Sequence, residues 1–177
     1  MTPNTTAIVG GQFKGTRLRT GRDRRIRPTV SRVREAIFDL LPSLSGTDVL
    51  DLYAGAGTLG FEALSRGAGK VTFVELNPHA LRLLEKNRIP FDDGRVKIIR
   101  DDCLRFLKKT GATYHVILAD PPYGEVDLSD LKEGALLRLK PGGTLVVETS
   151  VRQSWKEEDA IIRRYGDTQV TLIRGRS

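Results

Sequence analysis

The chain has 177 residues, with 29 Lys and Arg against 22 Asp and Glu, and a single cysteine, Cys103. That length predicts one domain with a core of its own, and one thiol excludes a disulfide scaffold. No run approaches the ~18 apolar residues of a membrane span, and the polar start Met1–Thr6 does not read as a secretory signal, so a cytoplasmic protein without a membrane partner is expected.

The charge is uneven. Residues 1–34 hold nine Lys and Arg and one acid, a net of +8, whereas residues 35–177 carry a net of −1. A basic arm on a near-neutral body predicts a polyanionic partner. Within the arm, residues 6–20 place two short β-like runs around Gly10-Gly11 and Gly15, which predicts a hairpin. Its Lys14 and Arg17, with Arg24 and Arg25 in the loop that follows, are candidate phosphate contacts. Phe13, set among cations, has two readings: stacking on a base, or packing the hairpin onto the core. Val30, Val33, Ile37, Leu40 and Leu41 then recur at helical spacing up to Pro42, with Arg32 and Arg34 expected off that apolar stripe.

From residue 48 strands and helices alternate. Strands are expected at 49–52, 71–74, 96–99, 116–119 and 144–148, with helices opening at Thr58, Pro78, Cys103 and Leu128. The last of these helices is expected to run to Leu139 and stop at Pro141-Gly142-Gly143. Residues 160–165 and 168–173 form a closing hairpin. Apolar strands alternating with helices predict an α/β fold: a Rossmann-like, open, mostly parallel sheet with helices on both faces. The expected organisation is 1–42 as a basic hairpin and helix and 43–177 as the Rossmann-like part, together effectively one structural domain.

The loop Gly55-Ala56-Gly57-Thr58-Leu59-Gly60 fits G-x-G-x-x-G between a strand and a helix, with Glu75 at the end of the next strand. That context suits a dinucleotide. Asp51, however, stands four residues before Gly55, where a carboxylate repels pyrophosphate and suits an ammonium. Ligands of open sheets bind at the carboxyl ends of the strands, and Asp51, Glu75 and Asp101/Asp102 line up there. An adenosine-bearing, amino-acid-bearing cation matches them: Glu75 for ribose hydroxyls, Asp101 or Asp102 for the adenine amine, Asp51 for the methionine end. That ligand is S-adenosylmethionine. Tyr53, Leu76 and Cys103 adjoin these acids and complete the candidate cofactor set. Cys103 is expected to face the sheet, and with no second thiol or base near it in sequence it is not read as a nucleophile. His79 and His115 lack metal-ligand spacing, so no metal is expected.

The fourth strand ends in Ala119-Asp120-Pro121-Pro122-Tyr123. Two prolines fix two φ angles and remove two donors, which makes a stiff turn. An exocyclic base amine is a poor nucleophile because its lone pair is delocalised into the ring. The Asp120 carboxylate and Pro121 carbonyl, both acceptors, suit gripping its hydrogens, and Tyr123 suits stacking on the base.

This turn resembles the (Asn/Asp)-Pro-Pro-(Tyr/Phe) motif of amino-directed methyltransferases dependent on S-adenosylmethionine. More narrowly, the chain resembles the 16S ribosomal RNA guanine-N2 methyltransferase family, the RsmD type. The resemblance is carried by residues 8–15, Arg27-Pro28-Thr29 with 32–38, residues 51–64 and Asp120-Pro121-Pro122-Tyr123. It implies methylation of the guanine numbered 966, and 16S rRNA as partner, free, within the small subunit or in an assembly intermediate. It further implies that Arg27, Thr29 and Arg32 help close the cofactor and RNA site and that Asp102 holds the adenine. One departure is the segment Gly124-Glu125-Val126-Asp127, shorter than usual for the family and carrying two acids. Other readings of the same turn are a DNA or RNA adenine/cytosine methyltransferase and a protein-glutamine methyltransferase. A reading from another class is a non-catalytic RNA-binding module with a decayed site.

Overall fold

The structure is a computed structural model that describes residues 4–21, 31–91, 94–122, 124–153 and 159–175. Strands β1 (Thr5–Ala7) and β2 (Arg17–Arg19) pair antiparallel as the expected hairpin. Helix α1 (Ser31–Leu40) follows. The body then runs β3 (Asp48–Leu52), α2 (Thr58–Ser65), β4 (Lys70–Glu75), α3 (Pro78–Asn87), β5 (Val96–Arg100), α4 (Cys103–Lys109), β6 (Tyr114–Ala119), α5 (Leu128–Leu136), β7 (Leu139–Ser150), β8 (Ile161–Tyr165) and β9 (Thr168–Arg174).

The seven-stranded sheet has the order β5-β4-β3-β6-β7-β9-β8. Its first five strands are parallel, and β9 runs antiparallel to both β7 and β8. The chain leaves β3 toward β4 and β5 on one side, then returns to lay β6 and β7 on the other. The order therefore reverses between β3 and β6, which opens a crevice at their carboxyl ends.

Two apolar clusters cover the sheet. One joins Val49, Phe73, Leu118 and Val146 to α1 (Val33, Ile37), α2 (Phe61, Leu64), α3 (Leu84) and the hairpin (Ile8, Leu18). The other joins Leu50, Val74, Ile117 and Val147 to α4 (Phe106, Leu107) and α5 (Leu131, Ala135). Alternate residues of each strand thus face opposite layers, as the two-residue pleat requires. Capping explains where the helices start. Asn77 accepts from the amides of His79 and Ala80, Asp102 from that of Arg105, and Asp127 from those of Ser129 and Asp130.

Two expectations need correction. Helix α5 stops at Leu136, and β7 begins at Leu139, so Pro141-Gly142-Gly143 lies inside a strand. The ladder absorbs it by a register shift between Tyr114 and Val116. Gly142 sits at φ 71°, and a Cβ on Gly143 would come within 2.9 Å of the His115 and Lys140 carbonyl oxygens. Arg34 is not off the apolar stripe but fully buried, with its Nε 3.4 Å from the buried Glu62 carboxylate. Phe13 packs on the core, its ring centroid 4.7 Å from that of Phe91.

Candidate cofactor and base-binding site

The register aligns the chemistry. Leu52 pairs with both Val74 and Ala119, and Ala119 with Val147. The next row along the sheet therefore holds Tyr53, Glu75, Asp120 and Glu148. Glu75 and Glu148 each follow a cluster-one residue (Phe73, Val146) by two positions, so both face the layer that carries α2 and the hairpin. Asp120 stands one residue past β6, at the central strand beside the crevice, and is half-buried. Pro121 is buried and Pro122 exposed. Tyr123 lies outside the described residues.

The glycine loop is built for close approach. Gly55 and Gly57 have φ of 57° and 82°. A Cβ on Gly57 would lie 2.5 Å from Leu84 and from the Phe61 ring, and one on Gly60 would lie 2.2 Å from the Phe73 ring. Neither position has room for a side chain. Gly57 supplies the N-cap of α2 without a side-chain bond, and Asp51 takes up one of the helix's orphan donors: the Gly60 amide donates to Asp51 Oδ2 at 2.9 Å. Asp51 is only 2% exposed. Burial pushes its carboxyl well above the ordinary range, the Gly60 bond opposes this, and the nearby Glu75 charge adds to it. Asp51, expected at the methionine end of the ligand, therefore also serves the loop itself. Its side chain is turned under the loop and positions it.

Glu75 is held in place by three backbone donors. Gly55 N donates to Oε2 at 2.7 Å, and Leu76 N and Asn77 N donate to Oε1 at 2.8 and 2.7 Å. One carboxylate thereby ties the glycine loop to the end of β4. Leu76 beside it is 51% exposed, an apolar surface at the rim of the crevice. At the end of β5 the two aspartates divide their roles. Asp101 Oδ1 accepts from Asp102 N and is paired with the Arg105 guanidinium, whose hydrogen bond holds the Asp101 carboxyl below its ordinary value. Asp102 caps α4 at the mouth of the crevice.

Cys103 faces the sheet as expected. Its sulfur accepts from Tyr53 N at 3.2 Å and lies 3.8 Å from the Val74 carbonyl oxygen. Burial, above all, pushes the thiol far up, so it stays protonated and non-nucleophilic. Its work is to hold Tyr53, which has φ 56°, an unusual backbone for an aromatic residue. Burial also raises the Tyr53 hydroxyl pKa, with Cys103 and Asp102 adding to it.

Of the candidate phosphate contacts, Lys14, Arg17 and Arg32 are exposed, and Arg17 also donates to Thr5 Oγ1 at 3.1 Å. Arg24, Arg25, Arg27 and Thr29 lie outside the described residues. In the short segment after the turn, Gly124 takes φ 76°, Val126 packs on the second cluster, and Asp127 is spent as the α5 cap. Both of its acids, Glu125 and Asp127, are exposed. Among the described residues no group of three or more His, Cys, Asp or Glu could hold a metal ion, and no helix is long and apolar enough to cross a membrane.

Sequence reasoning missed three buried polar residues. Glu62 accepts from the Val9 and Gly10 amides at 2.9 Å each and pairs with Arg34 and Arg66. Asn87 bonds both the hairpin and the glycine loop. Glu148 is buried next to Asp120 in the sheet row. Glu62 and Asn87 announce themselves only as polar residues on the apolar faces of their helices.

The fold and the glycine loop define a methyltransferase-type architecture. Precorrin-6y C5,15-methyltransferase from Geobacter metallireducens shares the fold at TM-score 0.69 and 16% identity, with 90% of this chain and 94% of that one covered. The solved structure of Escherichia coli yhhF is 27% identical at TM-score 0.84, covering 98% of this chain and 99% of that one. Residues 6–174 match the family model described as Conserved hypothetical protein 95. Ribosomal RNA small subunit methyltransferase D of Haemophilus influenzae is 37% identical over 160 residues, 84% of this chain and 82% of that protein. The Escherichia coli protein of the same name is 35% identical over 117 residues, a stretch that covers 66% of this chain and 59% of that protein's length. The chain belongs to this family, the one that includes ribosomal RNA small subunit methyltransferase D.

Proposed function

We propose that the protein is an S-adenosylmethionine-dependent methyltransferase acting on the exocyclic N2 amine of a guanine in 16S rRNA, the one its family resemblance implies. The observation that carries this reading is the position of Asp120. It stands one residue past the central strand β6, beside the glycine loop that follows β3, at the crevice where the strand order reverses. The relatives named for small-subunit rRNA methylation support the substrate class.

The residues fit the cofactor. Glu75, pre-set by three amides, presents oxygens to ribose hydroxyls; Leu76 offers apolar surface to the adenine, and Asp102 an acceptor for its amine. The glycine loop lets backbone approach the amino-acid end, with Asp51 holding the loop from below. When bound, S-adenosylmethionine supplies a methyl group on a positively charged sulfur. The chain's own contribution is positioning. The Asp120 carboxylate and Pro121 carbonyl accept the two amine hydrogens and turn the nitrogen lone pair out of conjugation. Asp120 also offsets the positive charge that develops on the nitrogen, and the surplus proton leaves through it to solvent. The target base must be unstacked to enter so narrow a turn.

Asp120→Ala should lower methyl transfer to 16S rRNA about 10²–10³-fold, the loss typical of removing one charge-stabilising group. Cofactor affinity, measured by calorimetry, should stay near wild type. Activity within a few-fold of wild type would remove the amine-gripping role. Transfer to duplex DNA in preference to naked 16S rRNA or assembled small subunits would remove the rRNA assignment.

A further inference from the structure

The basic hairpin and the glycine loop are far apart in sequence but meet at one buried side chain. Asn87, the last residue of α3, is 4% exposed. Its Oδ1 accepts from the Arg19 amide at 2.8 Å, and its Nδ2 donates to the Arg19 carbonyl at 2.9 Å. The same Nδ2 donates its other hydrogen to the carbonyl of Ala56 at 2.9 Å. Arg19 therefore turns both backbone groups away from β1, and the Asn87 amide pairs with them as a one-residue strand would. Ala56 lies between Gly55 and Gly57, the two positive-φ glycines of the cofactor loop. The Asn87 amide thus spends one donor on each of two segments.

The surroundings make this link stiff. Leu84, one turn before Asn87, fills the space a Gly57 side chain would need. Phe91, four residues after it, packs between Phe13 of the hairpin and Phe61 of α2, with centroids at 4.7 and 4.6 Å. On the other side, Glu62 and Ser65 of α2 clamp the backbone of residues 9–13: Ser65 O accepts from Gln12 N at 2.7 Å and Ser65 Oγ from Phe13 N at 2.9 Å. The hairpin is thereby fastened to both ends of the loop-and-helix unit that receives the cofactor.

We propose that Asn87 is a positioning residue that couples the two ligand sites: RNA held on the hairpin cations sets Ala56, and with it the cofactor loop, so each ligand tightens the other. This rests on the reading under Proposed function, with RNA at the arm and S-adenosylmethionine at the loop. An amide that only filled a core site would stabilise the fold without linking two affinities; linkage is reciprocal by thermodynamic necessity.

The test uses the full chain and titrates S-adenosylhomocysteine by calorimetry with and without a saturating 16S rRNA transcript. In the wild type the transcript should tighten S-adenosylhomocysteine about five-fold or more, the lower edge of ordinary coupling. In Asn87→Ala, and in the milder Asn87→Ser, the ratio should fall to about one. Hydrogen exchange gives a second readout: RNA should slow exchange at residues 54–60 in the wild type and leave it unchanged in the variants. A merely structural Asn87 would lower the melting temperature and weaken both ligands with the ratio intact, and that result overturns the proposal. So does a wild type that binds both ligands without coupling, which needs no variant to fold. A wild type that binds neither ligand sinks the underlying functional reading instead.

Discussion

Asp51 and Asp120 both follow apolar residues of neighbouring parallel strands, yet their surroundings give them different work. Asp120 is half-buried beside the crevice, where the proposed substrate amine would sit. Asp51 is sealed beneath the glycine loop, where its carboxylate accepts from the Gly60 amide. Burial raises its carboxyl pKa above the ordinary 3.8, so the folded state holds the proton more tightly than the unfolded chain does. The stability from that protonated form is complete below the ordinary value and is lost as pH rises through the folded one. Asp51→Asn keeps an acceptor for Gly60 and removes the titration. Urea midpoints measured across a pH series should show the wild type losing stability relative to Asp51→Asn as pH rises. Parallel profiles for the two proteins would contradict the buried-carboxyl account.

At the scale of elements, the hairpin is held to α2 by a buried carboxylate. Glu62 receives two backbone amides, an Arg66 bond at 2.9 Å and the buried Arg34 guanidinium. Burial pulls the Arg34 pKa down, and the Glu62 charge opposes that shift. Removing one member of such a group leaves the other charge buried alone, at about 3–5 kcal/mol. Glu62→Ala should therefore destabilise the chain by that order in urea unfolding, and limited proteolysis should cut first within residues 4–20. A loss under about 1 kcal/mol would show that the network is worth no more than an exposed pair. Arg34 also shows why this was hard to read in advance. A cation one residue past Val33 looks like solvent-facing charge, and its reasons to turn inward, Glu62 28 residues on and the Ala7 carbonyl 27 residues back, are distant in sequence.

For the whole molecule, the sheet was legible because its strands are short apolar runs whose ends carry Asp51, Glu75, Asp101 and Asp120, separated by capped helices. The register that sets Glu75 and Asp120 in one row follows from those runs. The hairpin's attachment was not legible: Glu62 and Asn87 find their partners 52 to 68 residues away, and no local pattern encodes that. Pro141-Gly142-Gly143 read as a stop because turn chemistry is local, while the bulge that absorbs it is set by β6. The charge asymmetry belongs to this scale as well. With Lys14, Arg17 and Arg32 exposed on the basic side, 16S rRNA affinity should fall steeply with salt, and each of these residues changed to Ala should lower the slope of log affinity against log salt by about 0.7–0.9. An unchanged slope in the triple variant would place the RNA contacts elsewhere.

The central claim is that a base amine is methylated at the Asp120 turn. It is tested most directly by incubating the protein with methyl-labelled S-adenosylmethionine and unmodified 16S rRNA or small subunits, then digesting to nucleosides for mass spectrometry. The account predicts label in N2-methylguanosine from a single position, lost with Asp120→Ala. Label in an adenine, a cytosine or a ring carbon, or label that survives Asp120→Ala, would contradict it.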